Sequence, residues 1–298
     1  MLLEFHTMKW GETMISVVVP VYNQKRQLQL TLDFFSRQIV DESFELIVVD
    51  DCSDEPCDTV VDNFKDKMDV IYIKNAINRG RSYSRNVGIE KNTGEIIVFC
   101  DADRYPCADF LQRHLDFHRK KLVPKIVCIG GVYENISKSP YDLSKKQIIR
   151  PATYYSTIRN LFDADGECMS AVPWISTLSG NMSISKTTAQ KFDEDFQGWG
   201  FEHFEFGYRL FKSGYQFVLN DMAKNYHIAH KRGTNQYRDS MINSLEVFLR
   251  KHPDYEIFQF GKFIFGDISL QEFEYLVGGV VRWKNEVSKP IYNHIISF

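Results

Sequence analysis

Short apolar runs alternate with helix-like segments through the first hundred residues, and this alternation restricts the possible folds of the chain more than any other feature. The predicted strands are residues 15–21, 44–49, 70–74 and 95–100, and the predicted helices between them are residues 25–38, 59–67 and 81–91. Such alternation favours a parallel sheet with crossover helices. The runs 46–49 and 96–100 are almost entirely apolar, which indicates strands covered on both faces.

Polar residues follow three of the predicted strands, at the edge where a parallel sheet binds its ligands. These residues are Tyr22, Asn23, Asp50, Asp51, Asp101 and Asp103. The carboxylates of Asp101 and Asp103 are hard oxygen ligands that suit Mg²⁺ or Mn²⁺, and such an ion bridges phosphate oxygens. The sequence therefore predicts a metal and diphosphate site at this edge.

Residues 78–88 begin a helix with arginines in its first turns, an arrangement that the helix dipole opposes. We therefore expect Arg81 or Arg85 to face an anionic ligand or Asp103. Asp51 ends the second strand and could accept hydrogen bonds from a base or a ribose. The simpler alternative is that Asp51 caps the next helix, and the two roles are compatible.

The composition argues against several classes of partner. The net charge of −3 and the isoelectric point near 6.3 give no field that would attract nucleic acid or anionic lipid. The apolar runs are strand-sized, and residues 1–14 lack the apolar segment of a signal peptide or an anchor. We expect a soluble, cytoplasmic protein with no membrane span and no nucleic-acid partner.

Four segments, residues 15–23, 48–54, 78–88 and 101–103, together resemble the family 2 glycosyltransferases of the GT-A fold. The resemblance implies an α/β protein with a Rossmann-like, mixed but mostly parallel sheet flanked by helices, followed here by a helical C-terminal extension. It also implies a nucleotide-sugar donor, with UDP as the nucleotide. The residues implied to grip the nucleotide are Pro20, Tyr22, Asp51, Arg81 and Asp101, and Asp103 would ligate the metal.

Residues 198–210, with the sequence GWGFEHFEFGYRL, are similar to the GWGxEDxxxxxRL pattern of galactosyltransferase-type C-terminal segments. In such enzymes the acidic pair at the start of this helix binds the acceptor and removes its proton, and His203 here replaces the second acid. An imidazole of ordinary pKa, about 6.5, suits a general base. The candidates are therefore Glu202, His203 and Glu205. The alternative is that the glutamates only favour a helix N-terminus and that His203 is a surface residue.

Two histidines three residues apart, His227 and His230, follow a further strand-like stretch. Imidazole suits Mn²⁺ better than Mg²⁺, and the two rings could converge on one ion if the segment turns. By the resemblance, His230 completes the metal site with Asp103, and His227 lies where a second, weaker ligand can occur. The alternative for His230 is a ring packed under the C-terminal tail.

Gly180 and Trp199 complete the predicted site. Residues 179–182 resemble a glycine-containing loop beside the donor sugar, where Gly180 would permit close approach of the backbone. Trp199 lies between two glycines and offers a stacking surface for a sugar ring or an apolar acceptor. Packing in the core is the alternative for Trp199.

We divide the chain into an N-terminal extension (1–13), a glycosyltransferase domain (14–232) and an aromatic-rich helical C-terminal extension (233–298). The domain is divided into a nucleotide-binding half (14–105) and an acceptor half (106–232). The aromatic residues of the extension predict packing on the core or on a second copy in a homo-oligomer.

The predicted function is metal-dependent transfer of a sugar from a UDP-sugar to an acceptor, with inversion implied by the resemblance. A glycan, a lipid-linked intermediate, a peptide or a small metabolite could be the acceptor, and a thiol would ease the demand on a base at His203. One alternative is a sugar-nucleotide pyrophosphorylase, which would need a glycine-rich phosphate loop that residues 19–23 lack. The other is a non-catalytic nucleotide-sugar-binding protein that has lost its base.

Overall fold

The structure is a computed structural model and describes residues 14–228 and 234–279. Within these ranges nine strands form one sheet in the order β3-β2-β1-β4-β8-β6-β9-β5, with β7 paired to β6. The strands are β1 (Ile15–Val21), β2 (Phe44–Asp50), β3 (Asp69–Lys74), β4 (Ile96–Cys100), β5 (Arg104–Pro106), β6 (Ile126–Asn135), β7 (Ile149–Pro151), β8 (Asn181–Ser185) and β9 (Gln216–Ile228). The helices are α1 (Lys25–Phe35), α2 (Asp58–Asp62), α3 (Gly80–Lys91), α4 (Phe110–Lys120), α5 (Thr153–Ile158), α6 (Glu202–Lys212), α7 (Thr234–Lys251), α8 (Tyr255–Phe265) and α9 (Leu270–Gly278).

The first four strands are parallel, as the alternating pattern predicts, and α1 to α3 connect them. Their apolar side chains are buried on both faces of the sheet, which explains the nearly continuous apolar runs. The helix predicted over 59–67 is shorter, because after α2 the amides of Phe64 and Lys67 bond to carbonyls three residues back and the segment continues as turns. The expected α/β fold is confirmed.

The second half makes the sheet mixed and brings distant residues together. β8 lies antiparallel between β4 and β6, and β6 is parallel to β9. β5 begins directly after Asp103 and pairs with the end of β9, so that Arg104 lies opposite His227. The pairing of β5 with β9 therefore places the end of the Asp101–Asp103 loop beside a histidine more than a hundred residues away.

The C-terminal helices pack on the glycosyltransferase core. Trp174 is fully buried and contacts aromatic rings of α6, α7, α8 and α9, namely Tyr208, Phe248, Phe260 and Phe273. These side chains belong to the same hydrophobic cluster as Ile129 of β6 and Met182 of β8. The extension was expected to pack on the core or on a second copy, and the helices within residues 234–279 pack on the core. Within residues 14–228 and 234–279, no helix is long and apolar enough to cross a membrane.

A buried chain of hydrogen bonds fixes α4 against the sheet. The amide Nδ2 of Asn181 donates to two backbone carbonyls, Gly131 and Ala223, at 2.9 Å each, so its Oδ1 faces His114 as an acceptor. His114 Nε2 therefore carries the proton, and His114 Nδ1 accepts from the Ser183 hydroxyl at 2.9 Å. Burial lowers the pKa of His114 to about 3. The folded protein thus requires a neutral imidazole here.

We expect His114 to make the protein less stable as the pH falls from 6.5 towards 3. An unfolded histidine binds a proton below about pH 6.5, whereas the folded one does not, so this contribution is complete above pH 6.5 and is lost below it. At pH 5 the loss is about 2 kcal/mol. Urea unfolding of wild type and His114→Gln at pH 7 and pH 5 measures it.

The readout is the change in unfolding free energy between the two pH values, so a constant cost of the substitution cancels. His114→Gln should show a drop between pH 7 and pH 5 that is smaller than that of the wild type by about 2 kcal/mol. Equal drops in both proteins would contradict a neutral, buried His114.

Candidate active site

Two adjoining clefts open at the carboxyl edge of the parallel strands. The first, called here the polar cleft, has a volume of about 480 Å³ and is lined by Pro20, Tyr22, Gln24, Asp51 and Asp103 among others. The second, called here the apolar cleft, has a volume of about 200 Å³ and is lined by residues that include Leu178, Gly180, Glu202, His203 and Met241. The side chains shared by both clefts are Arg81, Arg85, Asp101, Arg104, Trp199 and His227.

Asp51 closes one end of the polar cleft and caps a helix. Its carboxylate accepts hydrogen bonds from the backbone amides of Arg79 at 3.0 Å and Gly80 at 2.7 Å, and from Asn75 Nδ2 at 2.8 Å. The capping alternative is therefore seen at α3 and not at α2, the helix that follows Asp51 directly. A carboxylate at the N-terminus of α3 also offsets the unfavourable placement of arginines in its first turns.

Arg85 lines both clefts and makes an ion contact on each side. Its guanidinium is 1% exposed and lies 2.9 Å from Asp101 Oδ1 and 3.2 Å from Glu202 Oε1. Asp101 Oδ2 also lies 3.4 Å from Arg104 Nε. Burial alone would raise the pKa of Asp101, but the charges of Arg85 and Arg104 outweigh it and hold this pKa below its ordinary value. Asp101 is therefore ionised and held by arginines.

Asp103 lies where α1, β5 and β9 meet. Its Oδ2 accepts a hydrogen bond from Gln24 Nε2 at 2.9 Å and lies 3.3 Å from His227 Nε2. Both Asp103 and His227 are buried at the cleft wall. His230, the predicted principal histidine ligand, lies outside the described residues. Across residues 14–228 and 234–279, no three histidine, cysteine or acidic side chains converge in the manner of a metal site.

The start of α6 projects two predicted residues into the apolar cleft. Gly200 and Phe201 both have positive φ, 95° and 71°, and for phenylalanine this left-handed conformation is strained. The resulting sharp turn aims Glu202 and His203 into the cleft, where His203 Nδ1 lies 3.7 Å from Glu202 Oε2. Strain of this kind at a cleft wall is typical of functional sites.

Glu202 is 1% exposed, and its Oε1 lies 3.2 Å from Arg85 and 3.7 Å from Arg81. Burial would raise its pKa, but the charges of Arg81 and Arg85 and the neighbouring His203 hold that pKa well below its ordinary value. A carboxylate so strongly held in the ionised form is a poor proton acceptor. Its charge is instead suited to stabilising nearby cations.

Glu205 lies one turn further along α6 and lines neither cleft. Arg209 binds both of its carboxylate oxygens, with Nε at 2.6 Å and Nη2 at 3.0 Å, and His252 Nε2 lies 2.9 Å from Oε1. These contacts face the turn between α7 and α8. The structure therefore separates Glu205 from Glu202 and His203, although all three were predicted as one group.

Gly180 and Trp199 both lie where the two clefts meet. A Cβ at Gly180 would lie 2.5 Å from Asp101 Oδ2 and from Arg104 Nε, so glycine is needed to let these two charged groups sit against the loop. Trp199 is half-buried, lines both clefts, and donates its backbone N–H to Ser240 Oγ at 2.7 Å. Trp199 also packs against the hydrophobic cluster, so the same side chain contributes to the core and to the cleft wall.

Among the predicted site residues that the structure describes, all except Glu205 line one of the two clefts. The sequence interpretation did not include Gln24 or Arg104. Gln24 could have been found from its position just after β1, beside Tyr22, and Arg104 from its position directly after Asp103. The bridging role of Arg85 depends on the fold, because Glu202 is 117 residues away in sequence.

A model of the family described as glycosyl transferase family 2 matches residues 16–173, more than half of the chain. An uncharacterised glycosyltransferase of Bacillus subtilis (strain 168) is 24% identical over 267 residues, which cover 76% of this chain and 68% of that protein. Validoxylamine A glucosyltransferase of Streptomyces hygroscopicus subsp. limoneus is 26% identical over 260 residues, which cover 80% of this chain and 57% of that protein. The family resemblance is confirmed, and the galactosyltransferase-type segment stays a prediction.

Solved structures confirm the GT-A fold. S. aureus TarS 1-349 in complex with UDP has a TM-score of 0.59 and 18% identity, covering 79% of this chain and 64% of that one. The mannosyltransferase PcManGT from Pyrobaculum calidifontis, in complex with GDP-Man and Mn²⁺, has a TM-score of 0.56 and 20% identity, covering 82% and 66%. At these identities the likeness shows the fold alone.

We expect Arg85→Met to lower the free energy of unfolding by about 3–5 kcal/mol, because it removes the buried ion partner of the Glu202 carboxylate, which is 1% exposed, and one partner of the partly exposed Asp101. Arg37→Met is the matched control, since Arg37 is 66% exposed and pairs with Asp33 one turn away. The control should cost less than about 1 kcal/mol. Urea unfolding at pH 7 measures both, and equal costs would contradict the bridging role of Arg85.

Proposed function

We propose that this chain, which belongs to glycosyl transferase family 2 and is a glycosyltransferase, transfers a sugar from a UDP-sugar to an acceptor with inversion. The observation that carries the proposal is the meeting of the two clefts at Arg85, Asp101 and Trp199. In the proposal, the donor occupies the polar cleft and the acceptor approaches from the apolar cleft. Because the chain is an enzyme of this family, neither the pyrophosphorylase nor the non-catalytic alternative is retained.

A divalent cation fits the wall of the polar cleft. Asp103 Oδ2 and His227 Nε2 are 3.3 Å apart, and two neighbouring ligands of an octahedral ion at about 2.1 Å lie about 3 Å from each other. A carboxylate oxygen with an imidazole nitrogen suits Mn²⁺. We assign Asp103 and His227 as ligands, with His230 as a further candidate. The ion, when bound, supplies positive charge to the departing diphosphate.

The nucleotide end of the polar cleft supports UDP as the leaving group. Tyr22 is 46% exposed beside Pro20 and offers an aromatic face for a base, and Asp51 lies at the same end. Arg81 is 40% exposed between the clefts, where its charge can stabilise a diphosphate. The resemblance stated above and the TarS complex with UDP favour uridine, whereas the mannosyltransferase complex contains GDP-Man.

His203 is the proposed general base. It lines the apolar cleft and accepts the proton of the acceptor as the acceptor oxygen attacks the anomeric carbon. Glu202 is ionised, and its Oε2 lies 3.7 Å from His203 Nδ1, so its charge stabilises the imidazolium that forms. The family resemblance implies inversion, in which the acceptor attacks the anomeric carbon on the side opposite the departing diphosphate.

The metal site is tested by release of the nucleoside diphosphate. UDP-sugars and GDP-mannose are incubated singly with the protein and Mn²⁺, and the released diphosphate is quantified. We expect release from at least one UDP-sugar, abolished by chelator, and a fall of at least about 100-fold in Asp103→Asn, since loss of electrostatic stabilisation of the leaving group has this size.

Asp109→Asn is the matched control for that experiment, because Asp109 is 40% exposed and pairs with Arg113 on the outside of α4. Its rate should equal that of the wild type. Undiminished release in Asp103→Asn, or release only from GDP-mannose, would contradict the assigned metal ligand or the assigned nucleotide respectively.

The proposed base is tested by separating transfer from donor hydrolysis. His203→Gln removes a proton acceptor while keeping a polar side chain, so we expect transfer to an acceptor to fall about 10²–10⁴-fold. Hydrolysis of the donor by water should fall much less. The measurement compares product formation with total diphosphate release, and an equal fall in both would contradict a role restricted to acceptor activation.

A further inference from the structure

Part of the lining of the apolar cleft, called here the apolar wall, is made of hydrocarbon side chains from several parts of the chain. These are Val132 of β6, Ala152, Leu178, Phe204 of α6, Met241 of α7 and Ile264 of α8. Protein interiors are close-packed, so a cavity of about 200 Å³ beside such side chains is a place where an apolar group can bind.

Arg81, Glu202 and His203 also line the cleft, so charged and apolar side chains border the same space. Two polar groups that border the cleft elsewhere, those of Tyr154 and Glu134, already have partners. The Tyr154 hydroxyl donates to the Ile175 carbonyl at 2.7 Å, and Glu134 pairs with Arg150 at 3.0 Å. A ligand hydroxyl turned towards the apolar wall would lose its water without gaining a hydrogen bond there, which is unfavourable.

We propose that this enzyme takes an amphipathic acceptor, whose nucleophilic hydroxyl or thiol faces His203 while an aromatic or aliphatic group contacts Met241 and Leu178. The proposal rests on the assignment of the apolar cleft as the acceptor site. It narrows the acceptor class to compounds with an apolar substituent next to the reacting atom, and it disfavours acceptors that present only hydroxyls.

The apolar wall depends on residues beyond those that match the family model. That match ends at residue 173, whereas Leu178, Phe204, Met241 and Ile264 all follow it. Met241 and Ile264 come from the C-terminal helices, each only 2% exposed. The helices α7 and α8 therefore determine which acceptor fits, and the acceptor half extends past residue 232.

Binding of two glycosides that differ only in the aglycone tests the proposal. The probes are phenyl and methyl β-D-glucopyranoside, titrated by calorimetry into the full chain with UDP and Mn²⁺. Burial of the phenyl ring against the apolar wall should make the phenyl glycoside bind at least about tenfold more tightly.

Two substitutions locate the effect, with one matched control. Met241→Gln and Leu178→Gln introduce a polar group at the apolar wall and should each reduce the phenyl preference to less than about threefold. Leu178 is only partly buried, so this variant is expected to fold even if Met241→Gln does not, and circular dichroism checks both. Met222→Gln makes the same change at a methionine that is 53% exposed and should keep the preference.

Equal affinity for the two glycosides, no binding of either, or a preference unchanged in Leu178→Gln would overturn the proposal. Diphosphate release is measured separately with the same preparations. Release without a phenyl preference would overturn only this inference, whereas a phenyl preference without release from any donor would count against the proposed function.

Discussion

The arrangement of the site depends on the ion contacts that the buried guanidinium of Arg85 makes with two carboxylates. The guanidinium lies between Asp101, which follows β4, and Glu202, which begins α6, and so connects the parallel half of the sheet to the helix that carries the proposed base. The buried Glu202 carboxylate could not be held at low cost without this partner, whereas Asp101 is 32% exposed and also pairs with Arg104. The geometry of the cleft and the stability of the fold therefore rest on the same three side chains.

The two halves of the chain contribute differently to the site. Residues matched by the family model supply Tyr22, Asp51, Asp101 and Asp103 at the polar cleft. The later residues supply the strained turn at Phe201, the start of α6 and the apolar wall. The proposed donor site and the proposed acceptor site are thus separate surfaces that join at a few shared residues.

Local patterns in the sequence predict the first four strands and the polar residues that follow them, because strand length, apolar runs and the position of Asp101 and Asp103 are all short-range features. Long-range pairing is not available from such patterns. The contact of Asp103 with His227 arises from the pairing of β5 with β9, and the direction of Glu205 is set by Arg209 and His252, which lie on the side of α6 away from the clefts. Helical spacing alone places Glu205 on the same side of α6 as Glu202, three residues earlier, and so could not show that Glu205 faces away from the clefts.

The central claim is that one cation and one diphosphate bind at the polar cleft, beside the residues held by Arg85. Anomalous diffraction at the manganese absorption edge, from a crystal grown with UDP and Mn²⁺, tests it most directly. We expect a manganese peak at about 2.1–2.3 Å from the Asp103 carboxylate and His227 Nε2, with the uracil beside Tyr22. A manganese peak elsewhere, with UDP bound away from this cleft, would contradict it.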